Sequence, residues 1–191
     1  MSLRARKKAA TLRAILDAAQ ALFAERGYAA TRTRDIAEQA GIATGTLFNY
    51  APTKEAVVLL LWRDLATRAV ADGMAAARQH DDPVDAMAAV FQPIFTFYGA
   101  DPDLGRVFLQ QVMFDDGTDP ASKALNEGFL LTLAQQLQPV AGAASLPAAL
   151  NVFGAYYTTL TMLLAGRLPH VDSAMSLFRS LVRAQATGWR A

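Results

Sequence analysis

Residues 44–50 read Thr-Gly-Thr-Leu-Phe-Asn-Tyr, a run of small, hydroxyl, amide and phenol groups without an acid. Such a surface can approach base edges and phosphates without repulsion. An Asn amide presents the donor–acceptor pair that matches adenine, and a Thr methyl packs on the thymine methyl. Hydroxyls and the amides of a helix N-terminus suit phosphate oxygens. Charge points the same way. The whole chain carries only +1, yet residues 1–54 hold nine Lys/Arg against four acids, a local +5. The remaining residues hold nine Lys/Arg against thirteen acids, a local −4. A basic head on a mildly acidic body fits a polyanionic partner for the head.

Helices must position this run, because helical signals recur along all 191 residues and strand signals do not. Leu12, Ile15, Ala19, Leu22 and Phe23 form one apolar stripe over residues 8–26. Gly27 stands where a C′ glycine ends a helix. Two short helices should follow. One runs from Thr33 to Ala40 with Ile36 and Ala37 inward, the other from about Thr44 to Tyr50 with Leu47 inward. Gly41 supplies the positive φ between them, and Ile42 fills the core behind. Two short helices joined by a glycine turn make a helix-turn-helix, whose second helix enters the DNA major groove. Pro52 and Thr53 then open a longer helix running to about His80.

Three Asp-Pro pairs, at Asp82, Asp101 and Asp119, each precede an apolar-periodic run. Asp caps the orphan amides, and Pro at N1 gives up an N–H that has no partner anyway. Val84, Met87, Phe91, Ile94, Phe95 and Tyr98 form the first of these stripes, with Pro93 as a kink. A long run from Ser145 and Pro147 stops near Gly166, and Asp172 is expected to cap the last helix. The chain reads as all-α with roughly nine helices. A helix-turn-helix head at residues 1–54 and a larger helical domain at 55–191 are the expected division.

Several function classes fall away. The absence of cysteine excludes a disulfide scaffold, a thiol nucleophile and Cys-based metal sites. His80 and His170 share no ligand spacing, so no metal or cofactor is expected. No Gly-x-Ser-x-Gly elbow, phosphate-cradling loop, His-Glu-x-x-His or dinucleotide fingerprint is present, and an enzyme is not expected. Asp115, Asp116 and Asp119 surround Gly117 without a basic or His partner and read as a solvated loop. Gly128 to Gly166 carries no charge and is long enough to cross a bilayer. Pro139, Gly142 and Pro147 interrupt it, as do Gln135, Gln136, Gln138, Asn151, Thr158, Thr159 and Thr161. Buried or subunit-facing helices therefore fit better than a membrane span. With no apolar segment after the N-terminal charges, no secretory signal is read and the cytoplasm is the expected location.

Residues 11–55 resemble the DNA-binding domain of TetR-family transcriptional regulators. The likeness rests above all on Thr33-Arg-Asp-Ile-Ala-Glu-Gln-Ala-Gly-Ile-Ala-Thr-Gly-Thr-Leu-Phe-Asn-Tyr-Ala-Pro-Thr-Lys-Glu55. Gly27-Tyr28 and Thr31 fit the loop that family has before its second helix. Beyond residue 55 the likeness is architectural only. It implies a homodimeric, ligand-responsive regulator, a repressor, that binds a palindromic double-stranded DNA operator and is released by a small, fairly hydrophobic effector. The competing reading is a small-molecule-binding or adaptor helical dimer without DNA binding.

Position by position, the resemblance places Thr44, Gly45, Thr46 and Asn49 on the DNA side of the recognition helix. It puts Thr33 and Arg34 near the backbone of the same groove, Tyr50 at a phosphate, and Lys54 in the place of a phosphate-binding lysine. Arg4, Arg6, Lys7 and Lys8 would form an arm toward flanking phosphates. Two positions depart from the family pattern. Ala51 replaces a Phe, which leaves the packing between the third and fourth helices either looser or filled by Trp62 or Phe48, and Ala43 replaces the Ser/Thr N-cap of the recognition helix. The resemblance further implies dimerisation through the last two long helices, here by Phe153, Leu160, Leu164, Phe178, Leu181 and Val182. It also implies an apolar pocket. The candidates are Trp62, Phe91, Phe95, Phe108, Met113 and Phe129, with Asn151 and Tyr157 as polar fixtures.

Overall fold

The structure, a computed structural model, describes residues 2–113 and 120–189. Asp115, Asp116, Gly117 and Asp119, including the cap expected at Asp119, lie outside the described residues. Among those described there are nine α-helices, one 3₁₀ turn and no strand. The helices are α1 (Leu3–Ala30), α2 (Thr33–Gln39), α3 (Thr44–Phe48), α4 (Lys54–Ala77), α5 (Pro83–Ala100), α6 (Pro102–Met113), α7 (Pro120–Ala141), α8 (Ser145–Leu164) and α9 (Val171–Ala186). No described helix is long and apolar enough to cross a membrane.

Most helix starts follow from local chemistry. The Asp82 carboxylate accepts from the Val84 and Asp85 amides at 2.9 and 3.0 Å, and Asp101 does the same for Leu104 at 3.0 Å. The Thr53 hydroxyl accepts from the Ala56 amide at 3.1 Å, opening α4. Two starts differ from expectation. α1 begins at Leu3, capped by Ser2, so Arg4, Arg6, Lys7 and Lys8 sit on helical backbone and not on an extended arm. α9 begins at Val171 with His170 at the N-cap, which leaves Asp172 in the first turn, where its charge still favours the helix dipole.

Contacts divide the chain into two units. The first comprises the described residues of Met1–Asp64 and Arg106–Phe114, the second those of Leu65–Gly105 and Asp115–Ala191. In the first unit α1 packs on α2 and α2 on α3. Ile15, Leu22, Phe23, Ile36, Leu47 and Leu61 are its fully buried anchors. α1 is not continuous. Gly27 takes φ 77° and ψ 162°, so the helix breaks there and resumes for one short turn.

In the second unit α7 and α8 form an antiparallel pair, and α9 packs on both α5 and α8. A Cβ on Gly73 of α4 would lie 2.1 Å from the Val90 carbonyl oxygen. Only glycine allows α4 and α5 to approach so closely. The core is a cluster of rings. Phe91 sits 4.9 to 6.5 Å, centroid to centroid, from Phe129, Phe153, Tyr156 and Phe178.

This core corrects the expected dimer stripe. Leu160, Leu164, Phe178 and Val182 are covered by their own chain, at 0%, 3%, 0% and 0% exposure. They fill the interior where α5, α8 and α9 meet, and Phe153 and Leu181 are half-buried beside them. The outward side of α8 instead shows Leu146, Leu150, Asn151, Gly154, Thr158 and Thr161, an uncharged stripe.

Candidate nucleic-acid interface

α3 is five residues long and buries only Leu47. Its position is set by the corner before it. Gly41 adopts φ 68°, and the Ile42 amide donates to the Ala37 carbonyl at 3.0 Å. Ala43 holds the N-cap place in extended backbone and makes no side-chain cap bond, the deficiency expected of alanine there. The Asp35 carboxylate accepts from the Arg32 amide at 3.1 Å and fixes the start of α2.

The candidate DNA side chains share this small frame. Arg34, Gly45 and Asn49 are exposed, and Thr33, Thr44, Thr46, Tyr50 and Lys54 are half-buried. A Cβ on Gly45 would meet nothing within 4 Å, so packing inside the chain does not demand glycine at that position. Thr33, Phe48 and Lys54 line one open cleft of about 430 Å³ with Ala29, Thr31, Arg32, Pro52 and Thr53. Phe48, 47% exposed, does not fill the space left at Ala51, whereas Ala51 and Trp62 are buried at 0% and 5%. The Tyr50 hydroxyl donates to the Lys8 carbonyl at 3.4 Å and ties the end of α3 to α1.

Lys54 is occupied in a way its charge alone does not reveal. Its ammonium donates to the carbonyls of Tyr28 at 2.9 Å and Thr31 at 3.1 Å. It also lies 4.0 Å from the centroid of the Tyr28 ring. The Tyr28 hydroxyl donates to the Glu55 carboxylate at 2.8 Å. Burial, reinforced by that bond, pushes the Tyr28 phenol up to about 12. Glu55 is held below the usual carboxylate range, first by its own backbone amide and then by Tyr28. Sequence reasoning placed Tyr28 and Glu55 in the motif but missed their pairing, since 27 residues separate them.

The body's candidate pocket residues fall in both units. Phe91 and Phe95 are fully buried, and Phe129 is 8% exposed, within the ring cluster. Tyr157 stacks edge-on against Phe153 at 5.3 Å, its phenol raised by burial. Tyr156, buried and hydrogen-bonded to Tyr98, is raised well above the usual phenol range, chiefly by burial. Asn151 is exposed. Trp62, Phe108 and Met113 belong to the first unit, and Met113 is 52% exposed.

Residues 15–61 match the family model of bacterial regulatory proteins of the tetR family. The match is confined to the head of the chain. The HTH-type transcriptional repressor KstR2 of Rhodococcus jostii is 52% identical over 44 residues. That match spans 23% of this chain and 22% of the relative. KstR of the same organism is 32% identical over 108 residues, 56% of this chain and 50% of that one. The chain therefore matches half or less of the length of these curated relatives. At the level of fold, two solved structures align along nearly the whole chain. FadR of Bacillus subtilis in complex with stearoyl-CoA has a TM-score of 0.68 at 20% identity, covering 92% of this chain and 98% of that one. FadR of Thermus thermophilus in complex with lauroyl-CoA has a TM-score of 0.69 at 21% identity, covering 93% and 94%.

Proposed function

We propose that the chain is a homodimeric, ligand-responsive transcriptional repressor. In this reading residues 1–54 bind DNA, and residues 55–191 dimerise and bind the effector. The observation that carries the reading is the acid-free, outward side of α3 on a glycine corner, within the segment most like the KstR2 repressors. Thr44, Gly45, Thr46 and Asn49 meet base edges, and Thr33, Arg34 and Tyr50 meet phosphates. Two recognition helices, about 34 Å or a multiple apart, enter successive major grooves of a near-palindromic site.

The effector is an apolar-tailed small molecule. The aromatic supply of the body supports this class, and the two FadR structures hold acyl-CoA. Effector and DNA then weaken each other reciprocally, by about 1–3 kcal/mol. The uncharged side of α8 is the face proposed for the second copy.

Fluorescence anisotropy of the full chain against the duplex upstream of its own coding sequence tests the reading, with stearoyl-CoA and lauroyl-CoA as first effectors. Asn49→Ala should change the ranking of operator variants, and Arg34→Ala should weaken all of them alike. Were both to behave identically, the division of roles is wrong. Stabilisation by an acyl-CoA without salt-dependent binding to any duplex would establish the adaptor reading instead.

A further inference from the structure

We propose that Tyr28, Lys54 and Glu55 form a clamp that holds the turn before α2 against the first turn of α4, and that Lys54 serves DNA recognition as a positioning residue in this clamp and not as a phosphate ligand. The consequence for affinity rests on the DNA-binding reading above; the clamp itself is a property of the free protein.

An ammonium has three N–H donors and no acceptor. In Lys54 two of them reach the carbonyls of Tyr28 and Thr31, and the π face of Tyr28 lies 4.0 Å away to take the remaining positive field. A phosphate would have to displace these partners from a half-buried group. Tyr28 is gripped again from its far end, where its hydroxyl meets Glu55. Its ring also leans on Phe23 at 5.6 Å. The neighbouring Thr31 is 1% exposed and donates its hydroxyl to the Gly27 and Leu22 carbonyls at 2.9 and 3.3 Å.

The placement gives the clamp its purpose. Thr31 lies just before α2, and Lys54 lies just after α3, so their bond closes a loop that contains the entire helix-turn-helix. α3 is too short to be stable by itself, since a helix needs roughly 12–15 residues to be even marginal in water. It also lacks a side-chain cap. Fixing both ends of the loop restricts the states α2 and α3 can explore before they meet DNA.

Hydrogen exchange of the free full-length chain and the salt dependence of duplex binding together decide the matter. In Lys54→Met and Tyr28→Ala, amides 28–31 and 44–48 should exchange at least about tenfold faster. Affinity for the upstream duplex should fall by a similar factor in both variants, with the slope of log K against log salt unchanged. The pair should cost no more than either alone, as coupled residues do. Lys54→Arg should not rescue, because a planar fork does not fit two converging carbonyls. A phosphate ligand predicts the opposite. The slope would shrink by about 0.9 in Lys54→Met, Arg would restore binding, and Tyr28→Ala would bind like the parent. Either that pattern or unchanged exchange in Lys54→Met overturns the clamp. Should no duplex bind the parent protein, the exchange rates still decide the clamp, and only the DNA reading fails.

Discussion

α2 and α3 together bury Ile36, Ala37 and Leu47, whereas α8 alone buries nine residues. The head compensates with polar ties. Tyr28 to Glu55, Lys54 to two carbonyls, Tyr50 to the Lys8 carbonyl, and Arg13 to Asp64 at 3.2 Å each join segments distant in the chain. The second unit relies on interlocked rings and close helix crossings. The difference separates two kinds of stability. The head should respond to charge, hydrogen-bond chemistry and pH, and the body to side-chain volume.

Substitutions can break this contrast. Phe91→Ala, which empties the centre of the ring cluster, should cost about 3–5 kcal/mol in urea unfolding. A cost below about 1 kcal/mol would mean that the cluster is not what holds the body. Thr31→Val removes a buried hydroxyl that serves two carbonyls and should cost about 1–2 kcal/mol despite its matched shape. The body predicts the reverse sign for the same chemistry. Thr159 is fully buried, and its hydroxyl has no hydrogen-bond partner, so Thr159→Val should raise stability by about 1 kcal/mol. Loss of stability there would point to an unseen polar partner.

Alkaline pH sharpens the comparison without any large structural change. A Tyr28 phenol raised to about 12 in the folded head, against about 10 in an unfolded chain, favours the protonated folded state. Its contribution is present in full below about pH 10 and is lost as pH climbs toward 12. Exchange at amides 28–31 should therefore accelerate over that window, and Tyr28→Phe should flatten the dependence. Least of all, Arg179→Ala breaks an exposed 3.5 Å pair with Asp85 and should shift the thermal midpoint by the equivalent of less than about 0.5 kcal/mol.

The head was readable because its constraints are local. Gly41, Leu47 and the cap at Thr53 each act within a few residues of themselves, and each sits where the spacing placed it. The body was readable only as helices. An apolar stripe such as Leu160, Leu164, Phe178 and Val182 states that something covers it, not whether that cover is its own chain or a second copy, and here it is its own chain. Phe91 and Phe129 pose the same ambiguity between pocket wall and core, and the structure packs them ring on ring. Lys54 poses a further ambiguity. The resemblance implies a phosphate contact, whereas in the free protein its ammonium donates to two backbone carbonyls 23 and 26 residues away. Position in the chain gives no hint of such a bond.

With Leu47 the only buried residue of α3, the other four positions of the reading element can vary with little effect on folding. On the DNA-binding reading proposed above, preference among duplex sequences can then be retuned one side chain at a time. The joint between Tyr28, Lys54 and Glu55 lies outside α3 and is left intact by such changes.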